Sequence, residues 1–182
     1  MQTAMRTRGF SLIELMIAIS IFVLLVVLAG PMYGEFIANT NIRNAGESML
    51  NGLQLAQAQA VRSNLDTLFQ FKSGTGWSVT TDDPDNPGTP LFSEDYALKE
   101  GATQATINET PAGVTTVTFG GLGRIICVPA DCSTSLQRLD ITNTIVSASR
   151  PLRVVVATNG TKLCDPDPKL KLSDPDNPQL CP

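Results

Sequence analysis

The hydrophobic and polar positions divide the chain into three parts. The first is an uncharged, mostly apolar run from Leu15 to Gly34, which follows a short leader containing Arg6 and Arg8. A helix of about 20 residues is about 30 Å long, enough to cross the hydrocarbon core of a bilayer. The first part therefore predicts a membrane-spanning helix.

The second part predicts an amphipathic continuation of that helix. Apolar side chains recur at helical spacing and are expected to pack on the protein's own sheet: Ile42, Ala45, Met49, Leu53, Ala56 and Ala60. Gly30, Pro31 and Gly34 predict an interruption between the two helical parts, because proline removes a hydrogen bond and bends the axis. We expect the helix to end near Arg62–Asn64, where serine and asparagine favour a turn.

The third part is rich in strand-forming segments and turns. Thr67–Lys72 and Gly76–Thr80 predict a hairpin, and Asp82–Pro90 predicts a loop. Further strands are predicted from β-branched residues at Val114–Phe119, Leu122–Val128, Leu136–Ile141 and Leu152–Thr158. A long helix followed by antiparallel strands predicts the α+β class.

The leader predicts the orientation of the membrane segment. Arg6 and Arg8 precede the apolar run without an acidic residue, so the N-terminus should stay cytoplasmic and the remainder should be exported. One alternative is a cleaved signal peptide, since Val27-Leu28-Ala29 resembles a small-x-small cleavage site. Another is a plain membrane anchor. Glu14 argues against both, because an acidic side chain in lipid is costly and usually functional.

The junction of leader and apolar run carries the most specific signal. It reads Gly9-Phe10-Ser11-Leu12-Ile13-Glu14-Leu15 and resembles the class III signal of type IV pilins and type II secretion pseudopilins. The resemblance implies that prepilin peptidase cuts between Gly9 and Phe10, and that the new N-terminus at Phe10 is methylated. It also implies that Glu14 pairs with the N-terminal amine of a neighbouring subunit during assembly. Each charge would then relieve the desolvation cost of the other.

Weaker similarities point to FimT/FimU-type minor pilins and GspH-like pseudopilins. They lie at Leu55-Ala56-Gln57-Ala58-Gln59-Ala60-Val61-Arg62-Ser63-Asn64, Val117-Thr118-Phe119 with Gly123-Arg124, and Asn159-Gly160 with Leu163-Cys164-Asp165-Pro166. The resemblance implies a pilin-like fold, in which a long N-terminal helix packs on a C-terminal antiparallel β-sheet domain. The expected divisions are a leader at 1–9, a transmembrane and assembly helix at 10–34, an amphipathic helix at 35–64 and a β domain at 65–182.

Composition restricts the chemistry of the exported part. The formal net charge is −4 and there is no histidine, which removes the commonest general base and metal ligand. Apart from Glu14, the acidic residues are scattered or lie in proline-rich loops. Gly120-Gly121-Leu122-Gly123 reads as a turn between strands and not as a phosphate-binding loop. We therefore expect no enzyme activity, no cofactor and no metal site.

The sequence Asp-Pro-Asp-Asn-Pro occurs twice, at Asp83–Pro87 and Asp174–Pro178. Oxygen-rich loops bind calcium in some proteins, including some related pseudopilins, so a calcium site is an alternative here. The EF-hand spacing is absent and proline is frequent, which favours ordinary turn chemistry.

Four cysteines in an exported chain predict two disulfides, for which three pairings are available. Cys127 and Cys132 are close in sequence and flank residues that can turn. If they pair, Cys164 and Cys181 tie the C-terminal tail back on itself. No Cys-x-x-Cys spacing is present, which argues against a redox or metal role.

DNA binding is a hypothesis from a different class. Some FimT-type minor pilins bind DNA through a basic Gly-Arg-x-Arg motif, whereas the matching place here reads Gly160-Thr161-Lys162-Leu163. Both arginines of the motif are missing. Arg150, Arg153 and Lys162 are the candidate DNA contacts, but aspartates lie among them and weaken phosphate binding.

The resemblance therefore implies a minor type IV pilin at or near the pilus tip, which primes assembly and links tip subunits to the shaft. Its implied partners are other minor pilins, the major pilin, prepilin peptidase and, before assembly, inner-membrane lipid. It would span the bacterial inner membrane once, with a periplasmic domain, and then lie in the pilus at the cell surface. The alternatives are a GspH-like minor pseudopilin of a type II secretion system and a DNA-binding FimT-type minor pilin for natural transformation, with DNA as a further partner.

Overall fold

A computed structural model describes residues 11–72, 76–86, 88–97, 104–127, 133–146, 149–158, 160–167, 177 and 179–181. Within them, one long helix, α1 (Leu12–Ser63), precedes nine strands. The strands are β1 (Thr67–Lys72), β2 (Gly76–Asp82), β3 (Pro90–Ala97), β4 (Thr106–Thr110), β5 (Thr116–Phe119), β6 (Ile125–Ile126), β7 (Arg138–Thr142), β8 (Leu152–Ala157) and β9 (Gly160–Cys164).

The strands form two sheets in which all neighbours are antiparallel. The five-stranded sheet has the order β3-β2-β1-β5-β6, and the four-stranded sheet has the order β4-β7-β8-β9. A backbone hydrogen bond joins β5 of the first sheet to the segment that leads into β7 of the second, because Leu136 N–H donates to the Thr116 carbonyl at 2.8 Å. Helix α1 packs on both sheets. The predicted α+β fold is confirmed, and its division into two sheets is a new feature.

The predicted interruption of the helix is wrong, since α1 continues through Gly30, Pro31 and Gly34. Proline removes one backbone hydrogen bond, but the turns on either side keep theirs, and long membrane helices tolerate such a position. The helix ends as predicted. Asn64 caps it in the left-handed conformation, with φ of 54°, and Gly121 lies against that cap. A Cβ on Gly121 would lie 2.6 Å from the Asn64 Oδ1 atom.

The predicted apolar stripe of α1 forms the centre of the core. All six of its members, listed above from Ile42 to Ala60, are fully buried. They pack against the aromatic and aliphatic side chains that the two sheets turn inward, including Phe69, Phe119, Leu139 and Val154. Burial of these side chains stabilises the fold, since each fully buried large apolar side chain contributes about 1.5–3 kcal/mol relative to exposure.

Trp77 on β2 couples the helix to the five-stranded sheet. Its indole lies so close to Gly52 that a Cβ there would come within 2.6 Å of the ring. The indole Nε1–H donates to the Ser48 hydroxyl at 3.2 Å, and the ring stacks on Tyr96 of β3 with centroids 5.2 Å apart. Glycine at position 52 is therefore required by a close approach of helix and ring, and one side chain ties three elements together.

The strand predictions are confirmed for the β1–β2 hairpin, β5, β7 and β8, with ends shifted by a few residues. The strand predicted at Leu122–Val128 shrinks to Ile125–Ile126, because a turn occupies the preceding residues. In that turn Gly120 N–H donates to the Arg124 carbonyl and Gly123 adopts a φ of 73°. Strands β3, β4 and β9 were not predicted. Most of β3 is exposed at a sheet edge, so its sequence lacks the alternation of a half-buried strand.

Candidate functional site

The N-terminal end of α1 places Glu14 in the first helical turn. Ser11 caps the helix, and its hydroxyl oxygen accepts a hydrogen bond from the Glu14 N–H at 3.3 Å. The Glu14 side chain is exposed at the positive end of the helix dipole, which favours a carboxylate. Gly9 and Phe10 lie outside the described residues. Local capping therefore begins the helix just after the predicted cleavage site and presents the acid on the helix surface.

The N-terminal half of α1 exposes a continuous apolar surface. Large apolar side chains are exposed from Leu12 to Ile37. The first buried apolar residue along the described part of the helix is Ala38. This part of α1 is long and apolar enough to cross a membrane, and no part of its most apolar 18-residue stretch is buried in the protein. The hydroxyl of Ser20 donates to the Met16 carbonyl at 2.8 Å, which satisfies it within the helix.

An exposed apolar surface of this extent marks a membrane or protein interaction site in a protein that folds on its own. Along α1 the change from exposed to buried apolar residues is sharp, and it separates a part whose apolar surface is uncovered from a part that packs on the protein's own sheets. We call the segment from Leu12 to Ile37 the exposed half of α1.

A second candidate site lies on the outer face of the four-stranded sheet. The inner face of that sheet carries Leu139, Ile141 and Val154, which are buried. Because side chains alternate along a strand, Arg138, Asp140 and Arg153 lie on the opposite face. The register places Asp140 opposite Arg153, and it places Val155 opposite both Arg138 and Lys162. The strand pattern therefore gathers three cations and one acid on one face.

The structure separates the three predicted DNA contacts. Arg153 and Lys162 share the outer face, where Arg153 Nε donates to Asp140 Oδ1 at 2.5 Å and Lys162 Nζ donates to the Leu180 carbonyl at 3.3 Å. Arg150 precedes β8, and its backbone N–H donates to Asn39 Oδ1 on α1 at 2.7 Å. Asp140 also contacts Arg138, with Oδ2 3.2 Å from Nε. The three predicted DNA contacts therefore do not lie in one row of unpaired cations.

Asp140 and Ser135 belong to this face but were absent from the residues selected on sequence. The alternation of Arg138 and Asp140 within the predicted strand Leu136–Ile141 already places them on one side of a sheet. Their pairing with Arg153 depends on the register between β7 and β8, which sequence does not give. Ser135 is 7% exposed, and its hydroxyl has no hydrogen-bond partner within the part of the chain that the structure describes.

The C-terminal tail is tied to β9 by a disulfide between Cys164 and Cys181. Two backbone hydrogen bonds accompany it, from Asp165 N–H to the Gln179 carbonyl and from Cys181 N–H to the Asp165 carbonyl, at 2.7 and 3.1 Å. Cys127 is also in a disulfide. Cys132, its predicted partner, lies outside the described residues.

We predict that replacing Cys164 and Cys181 together by serine lowers the free energy of unfolding by about 3 kcal/mol, because the disulfide closes a short loop of the unfolded chain. Thermal unfolding of the purified full-length chain, followed by circular dichroism, measures this change. Ser93→Ala on the exposed strand β3 serves as the control and should stay within about 0.5 kcal/mol of wild type. A double serine variant as stable as that control contradicts the prediction.

Residues 83–86 of the first Asp-Pro-Asp-Asn-Pro segment form a hydrogen-bonded turn. The Asp83 carboxylate accepts from the Asp85 N–H at 2.9 Å, and Asn86 N–H donates to the Asp83 carbonyl at 3.2 Å. This is the turn chemistry that the sequence favoured. Within the described residues, no cluster of three or more acidic or cysteine side chains is arranged to hold a metal ion.

Comparison with known families decides the class of this protein. The family described as "Type II transport protein GspH" matches residues 45–160, which is more than half of the chain. The chain belongs to the GspH family. The motif described as "Prokaryotic N-terminal methylation motif" matches residues 4–30. The predicted membership of the type IV pilin-like superfamily is confirmed.

Three solved structures resemble this GspH-family chain, and the first of them shows its fold. GspH of E. coli is 19% identical, with a TM-score of 0.50, and the match covers 72% of this chain and 92% of that one. The minor pseudopilin EpsH of the Vibrio cholerae type 2 secretion system is 16% identical, with a TM-score of 0.49, over 69% and 98% of the two chains. The type IV minor pilin FimU of Pseudomonas aeruginosa is 20% identical, with a TM-score of 0.47, over 70% and 90%. No curated protein sequence matches the chain.

Membership of the GspH family fixes the broad class of function. The family comprises minor pilins and minor pseudopilins, which are structural subunits and not enzymes, and which work in complexes with other pilin subunits. The methylation motif together with the exposed half of α1 indicates membrane anchoring, followed by assembly into a pilus or pseudopilus.

Proposed function

We propose that this GspH-family chain is a minor type IV pilin at or near the pilus tip, where it primes assembly and links tip subunits to the shaft. The proposal rests on the change in exposure of the apolar side chains along α1 at Ala38. Before it, large apolar side chains are exposed and Glu14 lies in the first turn; beyond it, the apolar stripe is buried in the domain's own core. The exposed apolar part of such a helix can lie in lipid before assembly and pack against the helices of other subunits afterwards.

The proposal includes processing at the membrane. Prepilin peptidase removes the leader between Gly9 and Phe10, and Phe10 becomes the methylated N-terminus. Before assembly the chain spans the inner membrane once, with its N-terminus cytoplasmic and its domain periplasmic, as the positions of Arg6 and Arg8 favour. In the filament, Glu14 pairs with the N-terminal amine of a neighbouring pilin. The pair sets the register because each charge is costly alone in an apolar bundle.

Sequence similarity at Leu55–Asn64 to FimT/FimU-type minor pilins supports the type IV pilus. A minor pseudopilin of a type II secretion system is the second candidate. It is favoured by the family description "Type II transport protein GspH" and by the likeness in fold to GspH of E. coli. The two candidates share the membrane helix and the signal, and they differ in the filament that the subunit joins.

Deletion of the gene separates the two candidates. We predict that the deletion strain loses surface pili and twitching motility while protein secretion through the type II system stays normal, because only the pilus lacks a subunit. Complementation with the wild-type gene controls for effects on neighbouring genes. Loss of secretion with normal pili and motility contradicts the proposal and assigns the chain to the pseudopilus.

A further inference from the structure

A cleft of about 470 Å³ opens on the outer face of the four-stranded sheet. Its walls come from β6, from the segment that precedes β7, from β7 and β8, and from the end of the C-terminal tail at Cys181. Arg138 and Arg153 both line the cleft. None of the described residues in its walls is acidic. The cleft is separate from the exposed half of α1, which serves assembly in the proposed function.

The described side chains that line the cleft carry a net positive charge. Among the described residues, Asp140 is the carboxylate that contacts both guanidinium groups, and the Nε atom of each arginine takes part in the contact. A guanidinium has five N–H donors in a planar fork, so a contact at Nε leaves donors for a second anion. Lys162 adds a cation on the same face. This local excess contrasts with the net charge of −4 for the whole chain.

Hydrogen bonds to neighbouring strands hold both arginines, of which Arg138 is the more exposed, at 44%. Arg138 Nε donates to the Thr110 hydroxyl at 3.1 Å, and Arg153 is held by Asp140. The side chains of Arg153 and Asp140 are only 26% and 25% exposed. Cys181 is held in the wall by its disulfide to Cys164. A site whose groups are already positioned loses less conformational entropy when a ligand binds.

Ser135 provides an independent sign of a ligand. It lines the cleft and is 7% exposed, and its hydroxyl lacks a hydrogen-bond partner within the described part of the chain. Buried polar groups nearly always find a partner, and the exceptions mark strained or functional sites. A cleft lined by a hydroxyl and two guanidinium groups suits a carboxylate or phosphate oxygen.

We propose that this cleft binds the carboxylates of an acidic loop on a neighbouring filament subunit. The inference rests on the proposed function in so far as the chain is a filament subunit, whether of a pilus or of a pseudopilus. Two parallel guanidinium contacts to a carboxylate give orientation as well as affinity. The cleft then fixes how the globular domains meet, while the exposed half of α1 fixes how the helices meet.

The structure favours an acidic peptide over nucleic acid. Nucleic acid binding needs several cations in a row that displace counterions from successive phosphates, whereas Asp140 already neutralises part of this small cluster. The apolar walls of the cleft, formed by Ile125, Val155 and Ala157, suit the side chains that flank an acidic residue in a loop. The negative charge of the whole chain also opposes the approach of a polyanion.

The test uses the full-length chain in detergent and a dye-labelled peptide, Asp-Pro-Asp-Asn-Pro, followed by fluorescence anisotropy. The matched probe is Asn-Pro-Asn-Asn-Pro, which has the same shape without carboxylates. At about 10 mM salt, where screening is weak, we expect the acidic peptide to bind and the neutral one not to bind. Absence of acidic-peptide binding up to about 1 mM, or equal binding of both peptides, overturns the proposal.

Variants locate the binding. Arg153→Gln and Arg138→Gln should each weaken binding of the acidic peptide by about tenfold or more, whereas Arg43→Gln on the exposed surface of α1 should leave it unchanged. Asp140→Asn removes the competing carboxylate, so binding should strengthen while both arginines remain. If circular dichroism shows that an arginine variant does not fold, the peptide affinity of Asp140→Asn alone tests the proposal. Affinity that stays the same or falls in Asp140→Asn contradicts the proposal, because ion pairs with a purely structural role predict that result.

A duplex DNA probe completes the experiment. Tighter binding of labelled DNA than of the acidic peptide, lost in Arg153→Gln, overturns the peptide assignment in favour of nucleic acid. These measurements need no filament, so their failure leaves the proposed function intact. Conversely, if the purified chain binds the peptide but deletion of its gene affects neither pili nor secretion, the result counts against the proposed function and not against the site.

Discussion

Glu14→Ala is expected to reduce incorporation of the chain into filaments by about a hundredfold or more. In the proposed filament the carboxylate pairs with the N-terminal amine of a neighbour, and removing one partner of a buried ion pair costs about 3–5 kcal/mol. Each 1.4 kcal/mol corresponds to about a factor of ten in an equilibrium constant. Glu14 lies far from the core and its side chain is exposed in the isolated chain, so the domain should fold normally.

Quantitative immunoblotting of sheared filaments and of membranes measures the effect of Glu14→Ala. Glu35→Gln is the matched control, because Glu35 is an exposed acid on the same helix just beyond the uncharged run. The control should incorporate like wild type, and all three chains should show the same thermal unfolding. Normal amounts of Glu14→Ala in filaments contradict the assigned role of the carboxylate.

Trp77→Ala is expected to lower the free energy of unfolding by about 3–5 kcal/mol, as for other buried tryptophans. The change removes the stacking on Tyr96, leaves the Ser48 hydroxyl without its indole donor, and opens a cavity over Gly52. The variant loses the single tryptophan of the chain, so chemical unfolding must be followed by circular dichroism.

Two further variants test the reason for that loss. Leu91→Ala removes an exposed side chain from β3 and should change stability by no more than about 0.5 kcal/mol. Gly52→Ala should destabilise the wild type by about 1–3 kcal/mol through overpacking, because its Cβ would lie 2.6 Å from the Trp77 ring and 2.9 Å from the Phe69 ring. Beside Trp77→Ala it should cost less, because the nearer ring is gone and the Phe69 ring can move into the space left. Additive effects of the two substitutions contradict the close packing of helix and ring.

Apolar spacing predicted the core-facing stripe of the helix, and the turn preference of Ser63 and Asn64 predicted its end. These features follow from local chemistry, since apolar spacing determines the buried face and Asn64 tolerates the left-handed cap. The interruption expected at Pro31 did not occur, because the loss of one hydrogen bond is small against the cooperativity of a 52-residue helix. Strand β3 was missed because its position at a sheet edge leaves Ser93, Glu94 and Asp95 in solvent.

The candidate sites differ in how far sequence predicts them. The junction at Gly9–Phe10 and the acid at position 14 form a local motif, so sequence suffices to select them, and their roles stay predictions. The cationic cleft depends on strand register, which joins Arg138, Asp140 and Arg153 from two strands. Sequence selected Arg153 and Lys162 but missed Asp140, because the acid shared by both arginines is defined by contacts between strands and not by spacing.

Intact-protein mass spectrometry of sheared filaments tests whether the chain is a processed subunit of an extracellular filament. We predict that the chain is present in them as a minor component that begins at Phe10 with one added methyl group and lacks residues 1–9. The contradictory result is a chain found only in membranes and beginning at Met1, or a chain that begins at Gly30 after signal-peptide cleavage.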